Sequence, residues 1–214
     1  MEQNKSLVSK SLSWAYDKAV NGLEINGHKV LDSAYDLAKT YSKSGKSIRQ
    51  NATTLINWQC SKSAISGFST GFGGWATALA TLPANLTSVL FIQLRMIAAI
   101  AVMAGYDIRN DKVQTLAYAC LMGNSAEEAM KGIGIKVGEK WTKRYIDTHI
   151  RRDALKKINN VVGSRFITKN GSKGMINLTK AVPVVGGLVG AAFDAGSTKI
   201  IGSVAKNLFI DGKV

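Results

Sequence analysis

The stretch that decides the fold is Ala84–Ala104, ANLTSVLFIQLRMIAAIAVMA, which carries a single charged side chain, Arg95. As a helix it would be about 31 Å long, which matches the hydrocarbon core of a bilayer. Pro83 separates this stretch from an uncharged, glycine-rich run before it, because proline cannot continue a helix interior. The pattern therefore predicts a helical hairpin around Pro83, either buried in a bundle or inserted into a membrane.

Two polar side chains in this stretch bear on that choice. Arg95 lies near the middle, where a charge costs roughly 2.5–3.5 kcal/mol on membrane-insertion scales. Gln93 projects about 160° away from Arg95 around a helix, so one partner cannot satisfy both. We therefore expect protein to enclose this helix on several sides, and insertion of residues 63–106 into a bilayer stays the alternative.

Residues 1–62 carry the spacing of amphipathic helices. One apolar series runs from Val8 to Leu23 and another from Val30 to Tyr41, each at helical intervals. Asn26-Gly27 predicts a turn between the two helices. Since no linker rich in Pro, Ser or Gly follows, we predict one continuous domain over 1–214, with a helical core in 63–209.

The composition is that of a folded, basic protein. The 214 residues are 46% hydrophobic and carry a formal net charge of +14, which excludes a disordered chain and points to nucleic acid or lipid as an anionic partner. Two cysteines, Cys60 and Cys120, exclude a disulfide scaffold and indicate a reducing compartment. The start, MEQNKSLVSKSLSW, lacks the apolar segment of a secretory signal, so we expect a cytoplasmic protein.

The positive charge is concentrated in residues 109–180, which hold 15 basic and 6 acidic side chains. The candidate anion-binding residues there are Lys140, Lys143, Arg144, Arg151, Arg152, Lys156, Lys157, Arg165, Lys169 and Lys173. Trp141, Tyr145 and Ile150 form part of an apolar stripe through them. A basic amphipathic helix with aromatic side chains suits an anionic lipid surface, and it also suits nucleic-acid phosphates. A solvated helix whose charges only maintain solubility is the third interpretation.

Motifs for catalysis and metal binding are weak. Gly67-Phe68-Ser69-Thr70-Gly71 matches the G-x-S-x-G pattern of a hydrolase nucleophile, but no strand pattern precedes Ser69 and His149 is the only later histidine. A chance match in a glycine-rich run is the simpler explanation. The histidines and cysteines lack metal-ligand spacing, and no phosphate-binding loop is present. We therefore expect no metal and no cofactor, and the motifs identify no enzyme.

Residues on both sides of the basic segment resemble the EcsC family. They are Gly71, Gly73, Gly74, Gln93, Arg95, Tyr106, Asp107, Asn177, Lys180, Pro183, Gly186, Gly187 and Gly190. The resemblance covers roughly residues 63–209. One departure is Asn85, because the family usually has an acidic residue two positions after the proline. The family is bacterial, mostly helical and named from an operon that also encodes an ABC transporter. The resemblance therefore implies an intracellular protein that works at or near membranes, with a membrane protein as a second candidate partner, and it supplies no catalytic residues.

Arg95 needs a partner if its helix is buried, because an unpaired buried charge is strongly disfavoured. Asp194 lies in another apolar stretch that is otherwise uncharged. We predict that Arg95 meets Asp194 or, instead, Asp107. A core ion pair that fixes the register of the helices is favoured over a ligand site.

Taken together, the sequence predicts an all-α domain with two centrally packed, glycine-rich hairpins, one around Pro83 and one around Gly186–Gly187. The leading hypothesis is a non-enzymatic protein, peripheral to or inserted in the membrane, whose basic face, chiefly Lys140–Lys157, binds anionic lipid. Insertion of the hairpins would be a second step. The alternatives are a lipid-directed or membrane-damaging effector, including a hydrolase that uses Ser69, and a nucleic-acid-binding protein. The oligomeric state stays open.

Overall fold

The computed structural model describes residues 2–25, 27–42, 45–64, 88–137, 141–151, 153–166 and 187–213. Within these ranges the chain forms nine α-helices and one two-stranded sheet, so the predicted all-α class is confirmed. The helices are α1 (Glu2–Asn21), α2 (Ala34–Tyr41), α3 (Ile48–Ala64), α4 (Ser88–Met103), α5 (Asp111–Cys120), α6 (Ala126–Gly132), α7 (Lys143–His149), α8 (Ala154–Phe166) and α9 (Gly187–Lys206). The strands are β1 (Leu23–Ile25) and β2 (His28–Leu31). A π-helical turn, Asn207–Asp211, extends α9.

The connection between α1 and α2 differs from the prediction of two helices joined by a turn. It is an antiparallel hairpin in which Leu23 pairs with Leu31. Both residues fit the helical spacing, yet both lie on strands and are buried. Helical intervals did not distinguish these positions, because the side chains reach the same core from a strand.

Glycines and a helix cap explain where the hairpin begins and ends. Gly22 adopts a φ of 85° directly after α1, and a β-carbon there would lie 2.8 Å from the carbonyl oxygen of Leu31. Gly27 has a φ of 76° in the turn of the hairpin. Ser33 and Asp36 then form a reciprocal capping box that starts α2. Gly22 therefore ends α1 and the capping box starts α2, and the residues between them pair as two strands.

Helix α4 lies at the centre of the bundle. It packs against α1, α2, α3, α5 and α9, and every side chain from Leu90 to Ala101 is buried. The expectation that protein encloses this helix on several sides is confirmed. The two predicted hairpins, around Pro83 and Gly186–Gly187, fall mostly in residues 65–87 and 167–186, outside the described ranges. Among the described residues no helix is both long and apolar enough to cross a membrane.

Helices α3 and α9 run antiparallel at very short range. Arg49 at the start of α3 forms an ion pair with Asp211 beyond the end of α9. Further along, the Lys206 amino group donates to the Thr53 hydroxyl over 3.2 Å. At Gly202 a β-carbon would lie 2.7 Å from Ile56 Cγ1. The absence of a side chain at Gly202 is therefore what lets the two helices approach.

The same contacts orient α4. The Gln93 amide donates to the hydroxyls of Ser197 and Thr198 at 3.2 Å each, and the Met96 methyl lies against Gly202. A residue further along α4 contacts a residue further along α9, since Gln93 meets Ser197 and Thr198 whereas Met96 meets Gly202. The two helices therefore run in the same direction. Both helices therefore begin at the end of the bundle where α3 finishes, which we call the connection end.

Candidate functional site

The basic segment forms two helices, α7 and α8, where the sequence predicted one amphipathic helix across Lys140–Leu155. The Thr142 hydroxyl caps α7 by accepting from the backbone N–H of Tyr145. The helix ends at Ile150, whose backbone is extended. Ile150 and Ala154, on either side of the bend, are both buried. The extended backbone at Ile150 divides the segment into two helices that both contact the core.

The apolar stripe of this segment points into the protein. The side chains of Trp141, Ile146 and Ile150 are 2%, 1% and 2% exposed, respectively. Tyr145 is half-buried and stacks on the exposed ring of His149, with centroids 4.2 Å apart. Trp141 is consequently part of the core, and its aromatic ring is not displayed at the surface.

The cations of the segment point the other way. The exposed side chains form what we call the basic face: Lys143, Arg144, Arg151, Lys156 and Lys157. Two acids, Asp147 and Asp153, accompany them. The other predicted anion-binding side chains, those of Lys140, Arg152, Arg165, Lys169 and Lys173, lie outside the described side chains. The structure thus leaves five of the ten predicted residues exposed along α7, α8 and the bend between them.

Contacts with α4 and α5 hold α7 in place. The Lys143 ammonium lies 5.7 Å from the centroid of the Tyr106 ring, a cation–π distance. A β-carbon at Gly105, which has a φ of 77°, would lie 2.9 Å from the same ammonium group. The Lys112 amino group donates to the backbone carbonyl of Asp147. Gly105 and the family-motif residue Tyr106 therefore support α7, at the end of α4 opposite to the connection end.

Asp153 joins two members of the basic face. Its Oδ1 lies 3.5 Å from Arg151 Nε and its Oδ2 lies 2.9 Å from Lys157 Nζ. The hydrogen bond from Lys157 is the main cause that lowers the pKa of the Asp153 carboxyl. Arg144 and Lys156 form no ion pair with any residue in the described part of the chain. The face therefore combines cations that are open to solvent with cations that are already held.

Arg95 is the second site that the sequence indicated. The side chain is buried, and its Nη1 donates to the backbone carbonyl of Asp32 over 3.2 Å. Burial lowers the pKa of Arg95 to about 10, while the nearby Asp32 and Tyr41 oppose that change. The guanidinium is therefore charged at neutral pH. Asp32, in the connection from β2 to α2, is a neighbour that the sequence analysis missed.

The structure describes the side chain of only one of the two predicted partners of Arg95. Asp194 belongs to α9, but its side chain is outside the described set, so its pairing with Arg95 stays a prediction. Asp107 is exposed, and its carboxylate accepts from the backbone N–H of Arg109 over 2.9 Å. Gln93 meets α9 while Arg95 meets the connection before α2, in agreement with their opposite directions around α4.

Some of the remaining family-motif positions lie in the described ranges and others lie outside them. Tyr106 packs edge-on against Phe209, with ring centroids 5.3 Å apart. Gly187 and Gly190 lie on α9. The positions outside the described ranges are Gly71, Gly73, Gly74, Asn177, Lys180, Pro183 and Gly186.

The described residues do not include the catalytic candidate that the sequence indicated. Ser69, the weak nucleophile candidate, lies outside the described residues. Within those residues no three His, Cys, Asp or Glu side chains are grouped to hold a metal ion. What the exposed cations of the basic face can do is attract an anion.

Comparisons with known proteins identify one relationship. The family model described as the EcsC protein family matches residues 6–210. The match takes in the N-terminal helices as well as the stretch of roughly 63–209 that carries the motif residues. No curated protein and no solved structure gives a significant match.

Proposed function

The chain belongs to the EcsC protein family, and we propose that it is a non-enzymatic protein that attaches to membranes by binding anionic lipid through its basic face. The observation that carries this proposal is the exposure of five cations against two acids on α7, on α8 and in the bend between them. Near an anionic leaflet each Lys or Arg contributes about 1 kcal/mol to binding. A net excess of three positive charges therefore supports reversible attachment.

The mode of attachment we propose is electrostatic. The apolar stripe of Trp141, Ile146 and Ile150 is buried against the core. It is therefore not available to insert into the membrane–water interface. An interfacial helix normally inserts such a stripe among the headgroups. Attachment through charge alone is weakened by salt, because ions screen exposed charges beyond a Debye length of about 10 Å at 0.1 M.

Hydrophobic insertion, if it occurs, is a separate step. The apolar run of residues 65–87 follows α3 and precedes α4 in the chain, and the end of α3 and the start of α4 both lie at the connection end of the bundle. Helix α7 instead rests on Gly105 and Tyr106, beyond the opposite end of α4. Attachment by α7 therefore does not by itself bring the start of α4 to the bilayer.

The sequence around the basic segment favours lipid over nucleic acid as the partner. The basic segment follows a 44-residue stretch, Ser63–Tyr106, with one charge, and the chain has no zinc-finger or recognition-helix pattern. Duplex DNA is therefore the comparison ligand in the test, and stronger binding to it than to lipid would count against the proposal.

Co-sedimentation with vesicles tests the proposal. The protein should pellet with phosphatidylcholine vesicles that contain phosphatidylglycerol, and not with vesicles of phosphatidylcholine alone. Replacing the two open cations, in Arg144→Gln with Lys156→Gln, should weaken binding about 30-fold, since two charges are lost at about 1 kcal/mol each. The charge-matched control replaces two exposed lysines elsewhere, in Lys39→Gln with Lys46→Gln, and should retain most of the affinity. Equal losses in both variants would contradict a localised binding face.

A further inference from the structure

We infer that Asp153 is an internal counter-ion that holds Arg151 and Lys157 back from anionic lipid and thereby limits the strength of attachment. This inference rests on the proposed function, because it concerns how the same basic face is regulated. It assigns to one acidic side chain an effect opposite to that of the cations around it.

The geometry sets Asp153 apart from an ordinary surface acid. It directly precedes α8, and each of its carboxylate oxygens faces a different cation, Arg151 at 3.5 Å and Lys157 at 2.9 Å. The two cations come from opposite sides of Asp153 in the chain. Two of the five members of the basic face are therefore drawn toward one carboxylate.

Asp147 is a natural comparison on the same face. It is also exposed, and it lies on α7 between Lys143 and Arg151 in the chain. Its backbone carbonyl accepts from Lys112, but its carboxylate forms no ion pair within the described residues. Removing the charge of Asp147 changes the net charge of the face as much as removing that of Asp153, without releasing a held cation.

The ion pairs of Asp153 are weak enough to exchange. All three side chains are well exposed, the least of them being Asp153 at 45%, and exposed pairs of this kind stabilise a fold little. A phosphate can replace the carboxylate as acceptor, and guanidinium binds phosphate well. The exchange would leave Asp153 without its cations beside a negative surface, so the acid opposes binding both before and after contact.

Asp153→Asn and Asp147→Asn separate this effect from net charge. With vesicles containing phosphatidylglycerol, we expect Asp147→Asn to bind about 5-fold more tightly than the unaltered protein, the effect of one charge. We expect Asp153→Asn to bind about 20-fold more tightly or better, because it also releases two cations. Adding Arg151→Gln to Asp153→Asn should remove most of the extra gain.

The outcomes distinguish the inference from the proposed function. If the unaltered protein binds these vesicles but Asp153→Asn gains no more than Asp147→Asn, the counter-ion role is wrong and the proposed function stands. If the unaltered protein does not bind at low salt, both are wrong. Asn is nearly isosteric with Asp, and thermal unfolding of each variant confirms that the fold is retained.

Discussion

At the scale of single residues, Arg95 is the charge that the centre of the bundle has to accommodate. Its side chain is buried, with the Asp32 carbonyl as hydrogen-bond acceptor and the Asp32 and Tyr41 side chains nearby. Desolvation penalises such a charge unless neighbouring polar groups compensate. Arg95 therefore links the central helix to the connection before α2 and fixes how the two elements meet.

Truncating Arg95 should destabilise the protein more than replacing it with an apolar side chain of similar length. We expect Arg95→Ala to lower the free energy of unfolding by about 3 kcal/mol, because it leaves a cavity and removes the donor to Asp32. Arg95→Met fills most of the space without burying a charge and should cost about 1 kcal/mol or less. Urea unfolding measures both. Equal losses of unfolding free energy in the two variants would contradict this prediction, because they would mean that neighbouring side chains rearrange to fill the space left by Arg95→Ala.

A backbone acceptor explains why the sequence could not reveal the neighbour of Arg95. The need for a partner followed from one charge in an apolar helix, and Asp194 and Asp107 were the carboxylates that composition singled out. Asp32 accepts through its carbonyl, a group that every residue carries. Which carbonyl lies beside Arg95 depends on how the hairpin β1–β2 packs, and no local pattern encodes that.

At the scale of elements, the pair α3 and α9 shows how close packing follows from one missing side chain. Gly202 faces Ile56 across the pair, and Met96 of α4 lies on the same spot. The three helices therefore meet where a β-carbon would overlap a neighbour. This contact also sets the parallel direction of α4 and α9, which places both of their starts at the connection end.

Two glycine substitutions on α9 should change stability in opposite directions. Gly202→Ala should lower the free energy of unfolding by about 1–3 kcal/mol, because its β-carbon would lie 2.7 Å from Ile56 Cγ1. Gly196→Ala is the control: the site is exposed with open space around it, so the better helix propensity of alanine should stabilise by about 0.5–1 kcal/mol. Thermal denaturation gives the sign of each change. Stabilisation by Gly202→Ala would show that α3 and α9 are not held at this distance.

Elements were predictable where burial and local signals agree. The charge-poor run Ala84–Ala104 anticipated a buried helix, and α4 occupies most of it. The break at Ile150 was missed, because the helical spacing of apolar residues continues across it. Ile150 and Ala154 are four positions apart, a spacing that predicts one apolar face of a continuous helix, and both are buried on either side of the bend. The aromatic stripe was identified correctly as apolar, but whether it faced a membrane or the core depended on how the segment packs, which spacing does not report.

At the scale of the whole molecule, α7 and the connection end lie at opposite ends of α4. Helix α7 rests on Gly105 and Tyr106 at one end, while α3 finishes and α4 and α9 begin at the other. The formal net charge of +14 indicated that the partner is negatively charged. Its distribution over α7 and α8 identifies the face through which we propose that the protein binds.

The most direct test of this proposal measures binding to anionic vesicles and to duplex DNA side by side across a range of salt concentrations. We predict tighter binding to phosphatidylglycerol vesicles than to DNA at every salt concentration, with affinity for the vesicles falling steeply as salt rises because the contact is electrostatic. Arg144→Gln with Lys156→Gln should weaken the binding to vesicles. Tighter binding to duplex DNA, or binding to vesicles that does not respond to salt, would contradict the account.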